Sequence, residues 1–176
     1  ASWRTNGETL AKTAQENREL MGTSASYTDE LRCSIYRTER LISVAGTYYT
    51  YTGGAPPNTI LMGWNFDLET GTYFTPAMLD ADSKFHDTVL QSLKEQARQR
   101  AKEAEMQPKE FFWEDYQDTL ANWSNYPVSF DEDGMTVGFS PYELACYAAG
   151  PQVFQIPYAE LRDCLSEQGR ALLGVD

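Results

Sequence analysis

The chain has 176 residues, 41% hydrophobic and 13% aromatic, enough apolar material for a single cored domain and too much for a disordered one. Its 26 acidic against 14 basic residues give a net charge of −12, which argues against DNA, RNA and anionic membrane surfaces as partners, since a nucleic-acid binder needs a basic footprint. No apolar run approaches the roughly 20 residues of a membrane span, and no charged-then-apolar signal segment opens the chain, so no membrane insertion is expected and any export signal or anchor would lie upstream.

Residues 7–21 are polar and good helix formers, which predicts a surface helix with Leu10, Ala14 and Leu20 as its few apolar anchors. Residues 31–36 and 41–51 predict antiparallel strands joined by a charged turn at 37–40. Cys33 alternates with Leu31 and Ile35 and is expected to be a small core residue. Residues 59–68 alternate without a break. Ile60, Met62, Trp64, Phe66 and Leu68 share one face, and Leu61, Gly63, Asn65, Asp67 and Glu69 share the other. The apolar set is expected in the core, with Met62, Trp64 and Phe66 under the next helix, and a turn at Glu69, Thr70 and Gly71 closes the strand.

Asp82 or Ser83 can cap a long helix in which Phe85, Val89, Leu93 and Ala97 recur every four residues, while Arg98, Arg100 and Lys102 occupy its solvated end. Pro108 breaks that helix, and a second is predicted with Phe112, Tyr116 and Leu120 on one face and Trp113 and Trp123 adding core bulk. Residues 128–131 and 135–139 predict a hairpin turning at Asp133 and Gly134. A loop at 141–150, a strand at 153–158 and an amphipathic helix at 159–173 through Leu161, Leu165 and Leu172 complete the chain. Sequential antiparallel strands with helices between them predict an α+β domain over residues 1–176, an antiparallel sheet with helices packed on one face.

The segment YYTYTGGAPPNTILMGWNFDLETG, residues 48–71, sets a loop between two strands. Gly53 and Gly54 open backbone angles closed to other residues, and Pro56 and Pro57 stiffen the far side of the loop, so it is shaped rather than slack. A structural hairpin loop satisfies that pattern as well as a recognition loop does. With the second loop it supplies the candidate ligand-binding residues Tyr51, Gly53, Gly54, Pro56, Asn58, Tyr142, Tyr147 and Gly150. From Glu110 to Asp133 seven acidic residues occur with no Lys or Arg between them, a surface that would steer a basic partner or serve solubility alone.

Catalysis finds little support. His86, the single histidine, sits early in the long helix, where a solvated position is expected, and one histidine makes no cluster for zinc or iron. There is no G-x-S-x-G elbow, phosphate-binding glycine loop or dinucleotide fingerprint. Aligning Gly134 with the glycine of a calcium loop puts Ser140, not Glu, at its closing position. No catalytic residue, metal or cofactor is therefore assigned. Paired carboxylates of the glycosidase kind remain open because 26 acidic residues form such pairs by chance. Of Cys33, Cys146 and Cys164, only the last two are worth checking as a bridge.

YTYTGGAPPNT followed by NFDLETG, and FSPYELACYAAGPQVFQIPYAEL near the C-terminus, carry a resemblance. They resemble two signatures of a bacterial extracytoplasmic domain family that includes the lysozyme-sensing part of the anti-sigma-V factor RsiV and the non-catalytic N-terminal region of the peptidoglycan deacetylase PdaC. Residues 27–71 resemble the end of that family's N-terminal region and 72–173 its C-terminal domain. Pro56 replaces the family's usual His and Cys146 its frequent Pro, and the strand that usually precedes the first helix is expected to be missing. The resemblance implies an extracellular or cell-surface, non-catalytic binding or sensing domain for a basic protein such as lysozyme. A peptidoglycan-binding accessory module and a carboxylate-dependent glycan hydrolase are the alternatives.

Overall fold

The computed structural model describes residues 3–21, 27–53, 56–80 and 84–175. Helix α1 (Trp3–Met21) precedes strands β1 (Thr28–Arg37), β2 (Leu41–Tyr51), β3 (Asn58–Asp67) and β4 (Thr72–Tyr73). Helices α2 (Lys84–Glu103), α3 (Pro108–Phe111) and α4 (Tyr116–Ala121) come next, then β5 (Val128–Phe130), β6 (Gly134–Phe139), β7 (Gln152–Pro157), α5 (Tyr158–Leu161) and α6 (Glu167–Leu173). The antiparallel α+β class is as expected, but the strands divide into two sheets, of order β1-β2-β3-β4 and β5-β6-β7. Gly54, the proposed caps Asp82 and Ser83, and the Leu20 side chain lie outside the described residues.

The stripe Phe85, Val89, Leu93, Ala97 and Ala101 of α2 is buried, as the four-residue spacing requires. It meets the second sheet, whose inward residues Met135, Val137, Phe139, Phe154 and Ile156 are all fully buried. Met62, Trp64 and Phe66 do not lie under it, correcting the expectation for β3. The period was right and the face was inverted: Asn65 and Asp67 are each 1% exposed, whereas Met62 and Trp64 are half-buried and Phe66 is exposed. β5 crosses β3 at Gly63, where a Cβ would overlap the Val128 carbonyl, so only glycine admits the approach.

Polar side chains finish that crossing. The Phe130 N–H donates to Ser43 Oγ at 2.7 Å, Ser43 Oγ donates to Asn65 Oδ1 at 2.8 Å, and Asn65 Nδ2 donates to the Val128 carbonyl at 2.9 Å. Ser43 and Asn65 thus serve the outer edge of β5 as a neighbouring strand would. At the other edge of this sheet, Gln96 Nε2 donates to the Gln155 carbonyl at 2.9 Å and Arg100 Nη2 donates to the Val153 carbonyl. Arg100 is therefore not on a solvated end. Its guanidinium lies 4.1 Å from the Phe154 ring centroid, and burial lowers its pKa.

Four further expectations are corrected. Cys33 is exposed, because its face of β1 is left uncovered at this point, where Arg32, Ser34 and Ile35 are exposed as well. The second helix divides into α3 and α4: Phe112 leaves helical geometry to bridge Ala145, the Trp113 N–H donates to the Leu144 carbonyl, and Trp113 is exposed rather than core. The C-terminal helix divides as well, since Leu165 bridges Asp80 and Ser166 caps α6 by accepting the Gly169 N–H at 2.9 Å. Gly134 lies inside β6, and Asp131 Oδ1 makes the turn by accepting the N–H groups of Asp133 and Gly134.

Asp67 links β3 to the turn before β2. Its Oδ2 lies 3.1 Å from Arg40 Nη2, and its Oδ1 accepts the Glu69 N–H at 2.9 Å. Burial by itself would raise this carboxyl's pKa, but the Glu69 N–H, the Arg40 guanidinium and the Thr70 N–H outweigh it and hold the value below the ordinary one. A depressed folded pKa contributes stability above the unfolded value of about 3.9, and that contribution is lost as pH falls through the folded value. Urea unfolding followed downward from neutral pH is expected to show a steeper acid loss for the native chain than for Asp67→Asn, and parallel curves would remove this role.

Candidate functional site

The two loops singled out in the sequence meet. Tyr147 Oη donates to the Pro57 carbonyl at 2.8 Å, tying the 142–150 loop to the β2–β3 loop. Tyr142 packs beside Tyr147 with ring centroids 5.6 Å apart, and Tyr142 is 64% exposed. Trp113, 40% exposed, donates its indole N–H to the Tyr142 carbonyl at 3.0 Å. Trp113, Tyr142 and Tyr147 therefore make one aromatic ridge, with exposed Pro56 and Asn58 at the loop it joins. Gly53 and Tyr51 are half-buried at the start of that loop.

The ridge is fixed by its supports. Leu61 N–H of β3 donates to Ser140 Oγ at 3.1 Å, and Glu143 accepts the Ser140 N–H, which closes the turn before Tyr142. Tyr142 has φ 74°, a left-handed conformation rare for a bulky residue and tolerated where its surroundings impose it. Gly150 has φ 69° and ψ −172°, a region essentially reserved for glycine. Gln152, 4% exposed, donates to the carbonyls of Ala149 and Gly150 and accepts from Arg100 Nη1, pinning the loop end to α2. A loop held at both ends loses little freedom on binding.

Trp113, Ser140 and Gln152 escaped the sequence reading. Helical spacing assigned Trp113 to the core; the available contrary signal was Asp115, of a residue type favoured at N-caps, and it occupies the N-cap position of α4. His86 is not simply solvated: its ring stacks on Trp123 with centroids 5.4 Å apart, and its Nε2 lies 3.0 Å from the Ala121 carbonyl. Cys146 is exposed and Cys164 buried, and the two are not joined. Burial raises the pKa of the Cys164 thiol, whose Sγ lies 3.0 Å from the Leu161 carbonyl.

Elsewhere, an open groove of about 780 Å³ runs between α2 and β7. Asp87, Gln91, Glu95, Gln155 and Glu160 line it, groups that can hydrogen-bond hydroxyls, and its lining holds no aromatic ring on which a sugar could stack. Among the described residues no group of three or more His, Cys, Asp or Glu is placed to hold a metal ion, and no helix is long and apolar enough to cross a membrane.

The fold and the ridge define an α+β domain with an aromatic surface built from two loops and Trp113 of a third segment. Residues 74–159 match the model of a family described as a protein of unknown function (DUF3298). Two solved structures of DUF3298 family proteins are similar in fold. The one from Bacteroides fragilis NCTC 9343 has a TM-score of 0.61 and 19% identity over 97% of this chain, and the one from Pseudomonas aeruginosa PAO1 has 0.56 and 16% over 88%. The chain spans 66% and 69% of those two chains. Comparison with curated proteins gave no match.

Proposed function

We propose that this chain is a non-catalytic extracellular binding or sensing domain that takes a basic protein on the ridge of Trp113, Tyr142 and Tyr147 together with the 56–58 segment. The observation that carries the reading is the Tyr147–Pro57 hydrogen bond, because it turns two loops far apart in sequence into one preorganised surface. Tyr and Trp are the residues that anchor interfaces, giving large contact area at small entropic cost. Glu114 and Glu143, next in the chain to Trp113 and Tyr142, are exposed, and the net charge of −12 would speed encounter with a cationic partner. The resemblance to the lysozyme-sensing family makes a lysozyme-type muramidase the leading candidate.

Titration calorimetry against several lysozyme types, at low and moderate salt, tests this. Binding to at least one is expected, weakening with salt chiefly through a slower association rate. Absence of heat with every one of them would remove the reading. The exposed rings of Trp113 and Tyr142, on which sugars could stack, favour a second reading, a glycan-binding accessory module, which retention on insoluble peptidoglycan would support. Release of new reducing ends would instead point to hydrolysis by a carboxylate pair.

A further inference from the structure

The two sheets treat their edges differently. Ser43 and Asn65 serve the outer edge of β5, Gln96 and Arg100 serve that of β7, and β4 is only two residues long. β1 is a ten-residue edge strand, and among the described residues no hydrogen bond is made to its outer backbone edge. It has no proline, and its two acidic residues are matched by two basic ones in a chain of net charge −12. Nor is it apolar only inward. Leu31 and Ile35 are 37% and 72% exposed, and Cys33 between them is exposed. A long edge strand with no net charge and with exposed Leu31, Cys33 and Ile35 invites the strand pairing that soluble proteins otherwise block.

We propose that β1 is the contact surface of a homodimer, pairing antiparallel with β1 of a second copy about a two-fold axis at Cys33. Residues opposite one another across an antiparallel pair share a face, so this register continues the apolar face of the sheet through both subunits. Leu31 then faces the partner's Ile35, Asp29 faces the partner's Arg37, and Cys33 faces the partner's Cys33. Apolar meets apolar on both sides of the axis, each contact occurring twice. Centring on Arg32 would set Asp29 against Ile35, and centring on Ser34 would set Leu31 against Arg37. The sequence of β1 is thus self-complementary in one register.

Sedimentation equilibrium of the chain is expected to give twice the 19.9 kDa mass as concentration rises. Ile35→Lys, at a position already solvent-facing in the single copy, should remain folded by circular dichroism and sediment as a monomer. Register is tested in a Cys146→Ser background under mild oxidation. Cys33 should give a covalent dimer, because a disulfide forms only between closely facing cysteines. With Cys33→Ser, a Leu31→Cys chain should not link to itself but should link to an Ile35→Cys chain when the two are mixed. A monomer at every concentration, a dimer indifferent to Ile35→Lys, or self-linking at position 31 would overturn the proposal. A monomer would leave the edge to a strand from another protein.

Discussion

Gly63→Ala is expected to lower the unfolding free energy by about 3 kcal/mol or more, the upper part of the range for overpacking a filled site. The added Cβ would overlap the Val128 carbonyl, which is backbone and cannot rotate away. Asn65 holds that same carbonyl from the same strand, so moving β5 aside also breaks its hydrogen bond. The sheets would have to separate along their crossing, and the loss should appear in urea unfolding as a lower midpoint with unchanged slope. A cost below about 1 kcal/mol would mean that the two sheets do not cross at this contact.

Asn65→Ala is expected to cost about 2 to 4 kcal/mol, because it leaves the buried Val128 carbonyl without a donor and the Ser43 hydroxyl without its acceptor, each worth about 1 to 3 when unsatisfied. The chain of bonds from Phe130 through Ser43 and Asn65 to Val128 should also be non-additive. Once Asn65 is gone, Ser43→Ala should cost less than it does alone. Additive costs in the double variant would show that the three bonds do not act as a unit.

Much of the local structure was legible from period and punctuation. The α2 stripe stands at four-residue spacing, β3 alternates, and Gly71 ends the turn after β3, its N–H donating to the Asp67 carbonyl at 2.8 Å. The side of β3 that faces inward was not legible, because hydrophobic alternation assigns the apolar set to the core. Here Gly63, Asn65 and Asp67 face inward since the neighbour across the crossing is a strand edge, which calls for hydrogen-bonding groups and close backbone approach rather than apolar bulk. Cys33 was misplaced for a related reason: alternation shows which residues share a face, not whether anything covers it. The division of the helices at Phe112 and Leu165 comes from bridges to Ala145 and Asp80, long-range contacts that a local pattern cannot carry.

The candidate site was legible as two loops and not as one surface. Tyr, Pro and Gly marked each loop, but the pairing of Tyr147 with Pro57 spans 90 residues, and Trp113 joins from a third segment. The clearest test of the binding reading is therefore calorimetry with whichever basic protein binds the native chain, repeated with Tyr142→Ala/Tyr147→Ala and with Tyr147→Phe. Anchors of this kind predict a loss of at least about 2 kcal/mol for the double alanine variant, and a smaller loss for Tyr147→Phe, which keeps the ring and removes only the bond to Pro57. Unchanged affinity in the double variant would contradict the assignment of this ridge as the binding surface.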